Sequence, residues 1–256
     1  MTFTCPDLKA LNEEFARYEL AVALQALRQR FQHKIAFSSS LGLEDQVITA
    51  AIFSQHLAID VFTLDTGRQF PENYSTLAAT TKQYGKTIQV LYPNTEMLEQ
   101  YVSTKGINAL YDSVANRKEC CAIRKIEPLN RALQGAEVWI TGLRAAQSAY
   151  RSDMQLFEWD KARNLLKFNP LLHWSLADVR NYITEQGVPY NPLHDQGFPS
   201  IGCQPCTRAI AEGEDERAGR WWWETANQEC GLHDGTAAVP FKKINLLGIS
   251  LAETKA

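Results

Sequence analysis

The chain has 256 residues, of which 45% are hydrophobic and 21% charged, and its formal net charge is −3. That length supports one large domain or two small ones with a proper core, and the mildly acidic balance excludes a general nucleic-acid binder and makes any anion site a local feature. There is no apolar run long enough to span a membrane and no basic-then-apolar start in "MTFTCPDLKALNEEF". The expected compartment is therefore a reducing cytoplasm, where six cysteines point to metal or catalysis rather than disulfides.

Residues 7–31 read as one amphipathic helix, capped by Asp7, with Leu8, Leu11, Phe15, Tyr18, Val22 and Leu27 as its buried stripe. "KIAFS" (34–38) reads as a buried strand, followed by the small polar turn "SSSLGLEDQ" (38–46) and a helix to about residue 56. "IDVFTLDTG" (59–67) repeats that scheme, with a helix entered after Pro71. "KTIQVLYP" (86–93) and "AEVWITGLR" (136–144) read as a third and a fourth strand. Strands alternating with helices predict an α/β fold, a mostly parallel sheet covered on both faces. Ligands of such sheets sit beyond the C-terminal strand ends. Three polar turns fall at that edge: Ser38–Ser40, Asp65–Gly67 and Thr141–Arg144. "FEWD" (157–160) and "LLKFNP" (165–170) suggest a late hairpin, and 175–187 a helix capped by Ser175 and stopped by Gly187. The expected organisation is an N-terminal helical segment (1–33), an α/β domain (34–207) and a flexible, polar C-terminal segment (208–256).

"RKECCAIRK" (117–125) places Cys120 and Cys121 side by side among basic residues. Adjacent cysteines rarely bridge each other, because their Cα atoms lie too close for ordinary disulfide geometry. A second pair, Cys203 and Cys206, stands in "GCQPC". Cys-x-x-Cys is a common metal-ligand spacing. Neighbours on a helix diverge by about 100° and so address separate corners of an iron–sulfur cube more readily than one tetrahedral ion. Zinc and inert buried thiols remain alternatives on spacing alone; a thioredoxin-like dithiol ranks below them, because the motif follows the loop "FPSIG". Cys5 reads as incidental. Cys230, in "QECGLHDG", is a candidate reactive thiol: Gly231 permits a tight turn, and His233 can help hold a thiolate.

Taken together, "SSSLGLEDQ", "LDTGRQFPENY", "CCAIRKIEPL", "TGLRAAQS", "YNPLHDQGFPSIGCQPCTR", "GRWWWE" and "ECGLH" make the chain resemble the bacterial assimilatory adenylyl-sulfate reductases, within the adenylyl-sulfate and phosphoadenylyl-sulfate reductase family. The resemblance runs from about residue 34 to 235. It implies an adenine-nucleotide α-hydrolase-like fold related to ATP pyrophosphatases. It implies one [4Fe–4S] cluster per subunit, held by Cys120, Cys121, Cys203 and Cys206, and Cys230 as nucleophile. It further implies that Ser38, Ser39 and Ser40 hold the anionic end of the nucleotide, where hydroxyls, backbone N–H groups and a helix N-terminus converge.

The implied reaction is attack of the Cys230 thiolate on the sulfur of adenylyl sulfate, with AMP leaving, and release of sulfite by reduced thioredoxin. An anion attacking an anion needs cations. Lys125 is expected between cluster and sulfate, Arg144 and Arg151 on phosphate, and Arg217 and Arg220 as a clamp on the substrate. Asp65, Thr66, Gly67 and Gly142 complete the expected binding turns, with Asp65 either orienting the sugar or capping its own turn. Arg117 and Lys118 read as surface charge, and His194 as a hydrogen-bonded structural histidine. Of Trp221–Trp223, one is expected to anchor in the core and another to contribute to a thioredoxin-docking patch. No nucleic-acid or membrane partner is expected, and a homo-oligomer is compatible with the sequence. The rival readings are reduction of the 3′-phosphorylated nucleotide or of both nucleotides, a non-catalytic iron–sulfur sensor (which has no use for "ECGLH"), and an ATP-pyrophosphatase-type enzyme. The last wants a Ser-Gly-Gly-x-Asp-Ser loop, from which "SSSLGLED" departs.

Overall fold

The structure, a computed structural model, describes residues 3–148 and 151–224. The expected N-terminal helix is two helices, α1 (Leu8–Phe15) and α2 (Leu20–Arg30). Asp7 does cap the first, accepting from the Ala10 backbone N–H at 3.1 Å. The chain turns at Ala16 and re-enters from the extended residue Glu19. The break resets the helical phase, so Leu20, Ala23, Leu24 and Leu27 face the core in an i, i+3, i+4, i+7 pattern. Tyr18 and Val22, assigned to the buried stripe by a single unbroken period, are exposed instead.

Six strands form one sheet: β1 (Lys34–Ser39), β2 (Asp60–Leu64), β3 (Gln89–Leu91), β4 (Ala136–Ile140), β5 (Phe157–Asp160) and β6 (Leu165–Phe168). Their order is β3-β2-β1-β4-β6-β5. All neighbours are parallel except β5, which forms the expected antiparallel hairpin with β6. Helices α3 (Leu43–Ser54), α4 (Pro71–Tyr84), α5 (Thr95–Lys105), α6 (Val114–Cys121), α7 (Glu127–Ala132) and α8 (Leu176–Gln186) fill the connections. The boundaries follow local chemistry. Pro71 opens α4 at a position where its missing N–H costs nothing. Ser175 and Asp178 form a reciprocal capping box on α8, and Gly187 closes it in the left-handed region.

The central strand β1 is apolar on both sides because both faces are covered. Phe37 and Ile35 join Val47, Ile48, Ile140 and Phe168 in one cluster, whereas Ala36 joins Phe62, Leu129 and Trp139 on the other. A third, smaller cluster packs Met97, Tyr101 and Leu110 against Cys120, Cys203, Cys206 and Trp221. The chain moves outward from β1 through β2 to β3, then returns to β4 on the other flank, so the strand order reverses between β1 and β4. Such a reversal opens a crevice at the C-terminal edge. No helix among the described residues is long and apolar enough to cross a membrane.

Candidate active site

The crevice is a cleft of about 210 Å³ lined from the ends of β1 and β4 and by the later chain. At the end of β1, Ser38 accepts from the Trp139 indole N–H at 2.8 Å, and Ser39 accepts from the Leu41 N–H at 3.2 Å. Ser40 donates both its N–H and its hydroxyl to Asp45 Oδ2, each at 2.6 Å. Asp45 lies in the first turn of α3, buried in the cleft wall. Burial pushes its carboxyl up to about 6, against the opposing pull of the two Ser40 bonds. A Cβ on Gly142 would lie 2.0 Å from Asp45 Oδ1, so only glycine lets β4 end against this carboxyl. Thr141 donates to Asn169 Oδ1 at 2.5 Å, which ties the end of β4 to the loop after β6.

Beside the cleft, α6 ends at Cys120 and Cys121 and continues as a single π-turn, Ala122–Ile126, before α7. Such wide turns recur at functional sites, because they re-aim the side chains that follow. Across from them Cys203 and Cys206 flank one 3₁₀ turn, closed by the Cys206 N–H on the Cys203 carbonyl at 2.9 Å. All four thiols are buried and line one small cavity of about 10 Å³. Arg68, Arg117, Arg124, Lys125 and Trp221 complete its wall. Burial raises the Cys120 thiol, against the pull of Arg124 and Arg68, and raises Cys206 to about 11, against Lys125 and Arg220. Thr66 Oγ1 lies 3.2 Å from Cys203 Sγ. None of the described cysteines forms a disulfide, and among the described residues no three Cys, His, Asp or Glu side chains gather on one metal-ion position. Three buried donors around this region, Arg124 Nε, Arg220 Nε and Trp221 Nε1, have no hydrogen-bond partner among the described atoms.

Residues 34–209, including the cleft strands and both cysteine pairs, match the model of the phosphoadenosine phosphosulfate reductase domain. The chain belongs to that family. An adenosine 5′-phosphosulfate reductase of Sinorhizobium fredii is 48% identical over 233 residues, covering 91% of this chain and 92% of the relative. One of Allochromatium vinosum is 50% identical over 216 residues, covering 83% and 84%. Among solved structures, the phosphoadenylyl-sulfate reductase of Candida auris, crystallised with phosphate, superposes with a TM-score of 0.71 at 26% identity, over 81% of this chain and all of that one. A Candida glabrata FMN adenylyltransferase shares the fold alone, with a TM-score of 0.53 at 14% identity. The chain is thus an oxidoreductase of this family; its mostly parallel sheet is the one the alternating pattern predicts, and its adenine-nucleotide α-hydrolase-like architecture the one the resemblance implies.

Within this reductase fold the expected residues divide between the two cavities. Ser38, Ser39, Ser40, Gly142, Arg151, Arg217 and Arg220 line the cleft. Lys125 and Trp221 line both cavities. Asp65, Thr66 and Gly67 lie outside the cleft lining. Asp65 accepts from the Gly67 N–H at 2.8 Å and the Tyr74 hydroxyl at 3.2 Å, while Thr66 gives its carbonyl to Arg124 at 2.6 Å beside the thiols. Arg144 is buried in a pair with Glu44 at 2.7 Å and reaches Glu216 at 3.3 Å. Cys230 and His233 lie outside the described residues. Arg117 is not surface charge: it is 1% exposed and clasps Glu224 through two bonds of 2.8 and 2.9 Å. Lys118 is exposed as expected. His194 is buried in the cleft wall, but neither ring nitrogen has a well-formed hydrogen bond, and burial holds its pKa down. Trp221 is buried, Trp222 is exposed, and Trp223 packs edge-on against Tyr111 at 4.6 Å. Glu44, Asp45 and Ser200 in the cleft lining and Arg124 in the thiol cavity are site residues that no motif in the sequence singles out. Only the "ED" at the start of α3 carried a signal, acid at a helix N-terminus.

Proposed function

We propose that the chain reduces adenylyl sulfate to sulfite and AMP with electrons from reduced thioredoxin, in assimilatory sulfate reduction in the cytoplasm. The Cys230 thiolate attacks the sulfur of the sulfuryl group. An S–S bond forms, the bond from sulfur to the bridging oxygen breaks, and AMP leaves with that electron pair. A thioredoxin thiolate then attacks Cys230 Sγ, and sulfite departs with the S–S electron pair. The second thioredoxin thiol resolves the mixed disulfide and frees Cys230. The observation that carries this reading is the sharing of Lys125 and Trp221 by an anion-sized cleft and a four-thiol cavity. Lys125 so placed can lower the repulsion between an incoming thiolate and the sulfate oxygens. Arg151, Arg217 and Arg220 in the cleft lining supply further positive charge for phosphate and sulfate.

The donor set fits a [4Fe–4S] cluster. Four buried thiols around one cavity match the donor set of a [4Fe–4S] core, one thiolate to each iron. Cys120 and Cys206, whose thiols burial pushes up, release their protons when a metal binds, and unpartnered Arg124 Nε and Trp221 Nε1 offer donors for bound sulfur. When bound, such a core supplies fixed charge and a cross-link between α6 and the 203–206 turn, while the dithiol supplies the electrons. Exposed Ile107, Tyr111, Val114 and Trp222 offer an apolar surface for the reductant.

The test is sulfite release by anaerobically purified protein with reduced thioredoxin, comparing adenylyl sulfate with its 3′-phosphorylated form and including Cys230→Ser. Preference for the unphosphorylated nucleotide, abolished in Cys230→Ser, is the expected result. Equal rates would make it a dual-specificity reductase. No sulfite from either nucleotide, in protein carrying iron and sulfide, would sink the enzyme reading.

A further inference from the structure

The buried Arg117–Glu224 pair joins two parts of the chain with different tasks. Arg117 stands one turn before Cys120 and Cys121 on α6, and its guanidinium also contacts the Cys121 thiol. Glu224 ends the stretch that places Arg217, Arg220 and Trp221 in the cleft wall. The two side chains are 1% and 4% exposed, and both carboxylate oxygens are used. Trp221 packs beside the pair, with the Arg117 guanidinium 4.8 Å and the Arg220 guanidinium 4.6 Å from its ring. Trp221 is itself held in the left-handed region at φ 44°, a conformation a bulky residue keeps only when its surroundings enforce it. The Trp221 N–H reaches the Cys206 carbonyl at 3.3 Å, and the Glu224 N–H the Trp221 carbonyl at 2.8 Å. One continuous set of contacts therefore runs from the cysteine helix through Glu224 and Trp221 to Arg220.

We propose that Glu224 is a positioning residue: by clasping Arg117 it holds Trp221 and Arg220 in register with the cysteine helix, so that nucleotide affinity in the cleft depends on a residue that lines neither cavity. A buried ion pair is weak evidence for stability, since well-packed apolar groups often replace one without loss. Its bidentate geometry is better suited to fixing an orientation. The inference rests on the cleft being the nucleotide site proposed above.

The experiment uses the full chain, purified anaerobically, with AMP as the equilibrium probe. Three proteins are compared: wild type, Glu224→Gln, and the double variant Arg117→Met with Glu224→Met. Bound iron, thermal midpoint, AMP affinity and the KM and kcat for adenylyl sulfate are measured on each. The expected result is that Glu224→Gln keeps its iron but binds AMP about tenfold more weakly, with the loss in KM rather than kcat. The double variant is expected to regain the thermal midpoint but not the AMP affinity, which a merely structural pair would not do. Recovery of both together, unchanged AMP affinity in Glu224→Gln, or loss of iron from Glu224→Gln each overturns the positioning role. Failure of the wild type itself to bind AMP overturns the proposed function, and this coupling with it.

Discussion

The cleft and the thiol cavity meet at Lys125 and Trp221, yet they are built in opposite ways. The cleft grows out of strand ends. Its polar groups answer one another: Asp45 with Ser40, Thr141 with Asn169, Arg144 with Glu44. The thiol cavity contains no strand end. It is assembled from a loop at Arg68, the end of α6 and its π-turn, the 203–206 turn and Trp221. Its buried donors are partly unanswered, and burial pushes the Cys120 and Cys206 thiols up. Most of the cleft's polar groups pair among themselves, His194 and Arg220 Nε excepted, whereas a cavity lined by thiols and the unpaired Arg124 Nε gains cohesion from what it holds.

Removing one thiol should separate the two most sharply. Cys206→Ala is expected to abolish stoichiometric iron and sulfide and the visible absorbance they give. The thermal midpoint should fall by roughly 10 °C, because metal binding free energy is folding free energy at such sites. The far-UV circular dichroism should be unchanged, since the sheet core contains none of the four cysteines. Retention of full iron would break the contrast and demote Cys206 to packing.

Asp45 probes the cleft by itself. Its carboxyl pKa rises from 3.8 to about 6 in the folded chain. The folded state therefore holds the proton more tightly than the unfolded one. The stability this gives is complete below pH 4 and lost as pH rises through 6, a difference of about 3 kcal/mol. Asp45→Asn keeps an acceptor for Ser40 and removes the buried charge. It should be more stable than wild type by up to about 2 kcal/mol at pH 8, with the advantage shrinking between pH 6 and 4 and absent below. Urea titrations at three pH values, with iron content measured alongside, check both the sign and its confinement to the cleft. An equal gain at every pH would mean that Asp45 is not the titrating group.

The same contrast governs what could be read from the sequence. The sheet was legible because each strand is a short apolar run between turn residues, and period and punctuation are local signals. The single N-terminal helix failed because nothing apolar or polar marks the break near Tyr18; only tertiary contact shows it, as where Asn12 bonds the Phe157 backbone at 2.9 Å. The cysteines were legible as a pattern, but their neighbours were not. Arg117 and Arg124 look like any basic residues on a helix, and their burial depends on Glu224 and Thr66, both far away in sequence. Asp65 and Arg144 have the right chemistry at the right sheet edge, yet their hydrogen bonds turn them toward the protein.

Gly202 lies where the two regions touch, and it offers the finest separation. A Cβ there would stand 2.2 Å from Arg220 Nη2 and 2.6 Å from Cζ. The backbone of Gly202 needs no left-handed conformation, so alanine meets no strain of its own. The obstacle is the far end of a long side chain, which can move. Gly202→Ala should therefore fold and keep its four thiols in place, while Arg220 leaves its contact with Ser200 at 3.2 Å and its stack on Trp221. The lost hydrogen bond and cation–π contact are worth about 1 kcal/mol, so AMP affinity should fall about fivefold with iron content intact. Calorimetric titration of AMP beside an iron assay reads both quantities on one sample. A fall in iron would mean that the cleft cannot be disturbed without the cavity, and that Lys125 and Trp221 form a common wall rather than a boundary. Unchanged affinity with unchanged iron would take Arg220 off the nucleotide, leaving Arg151, Arg217 and Lys125 to hold its charge.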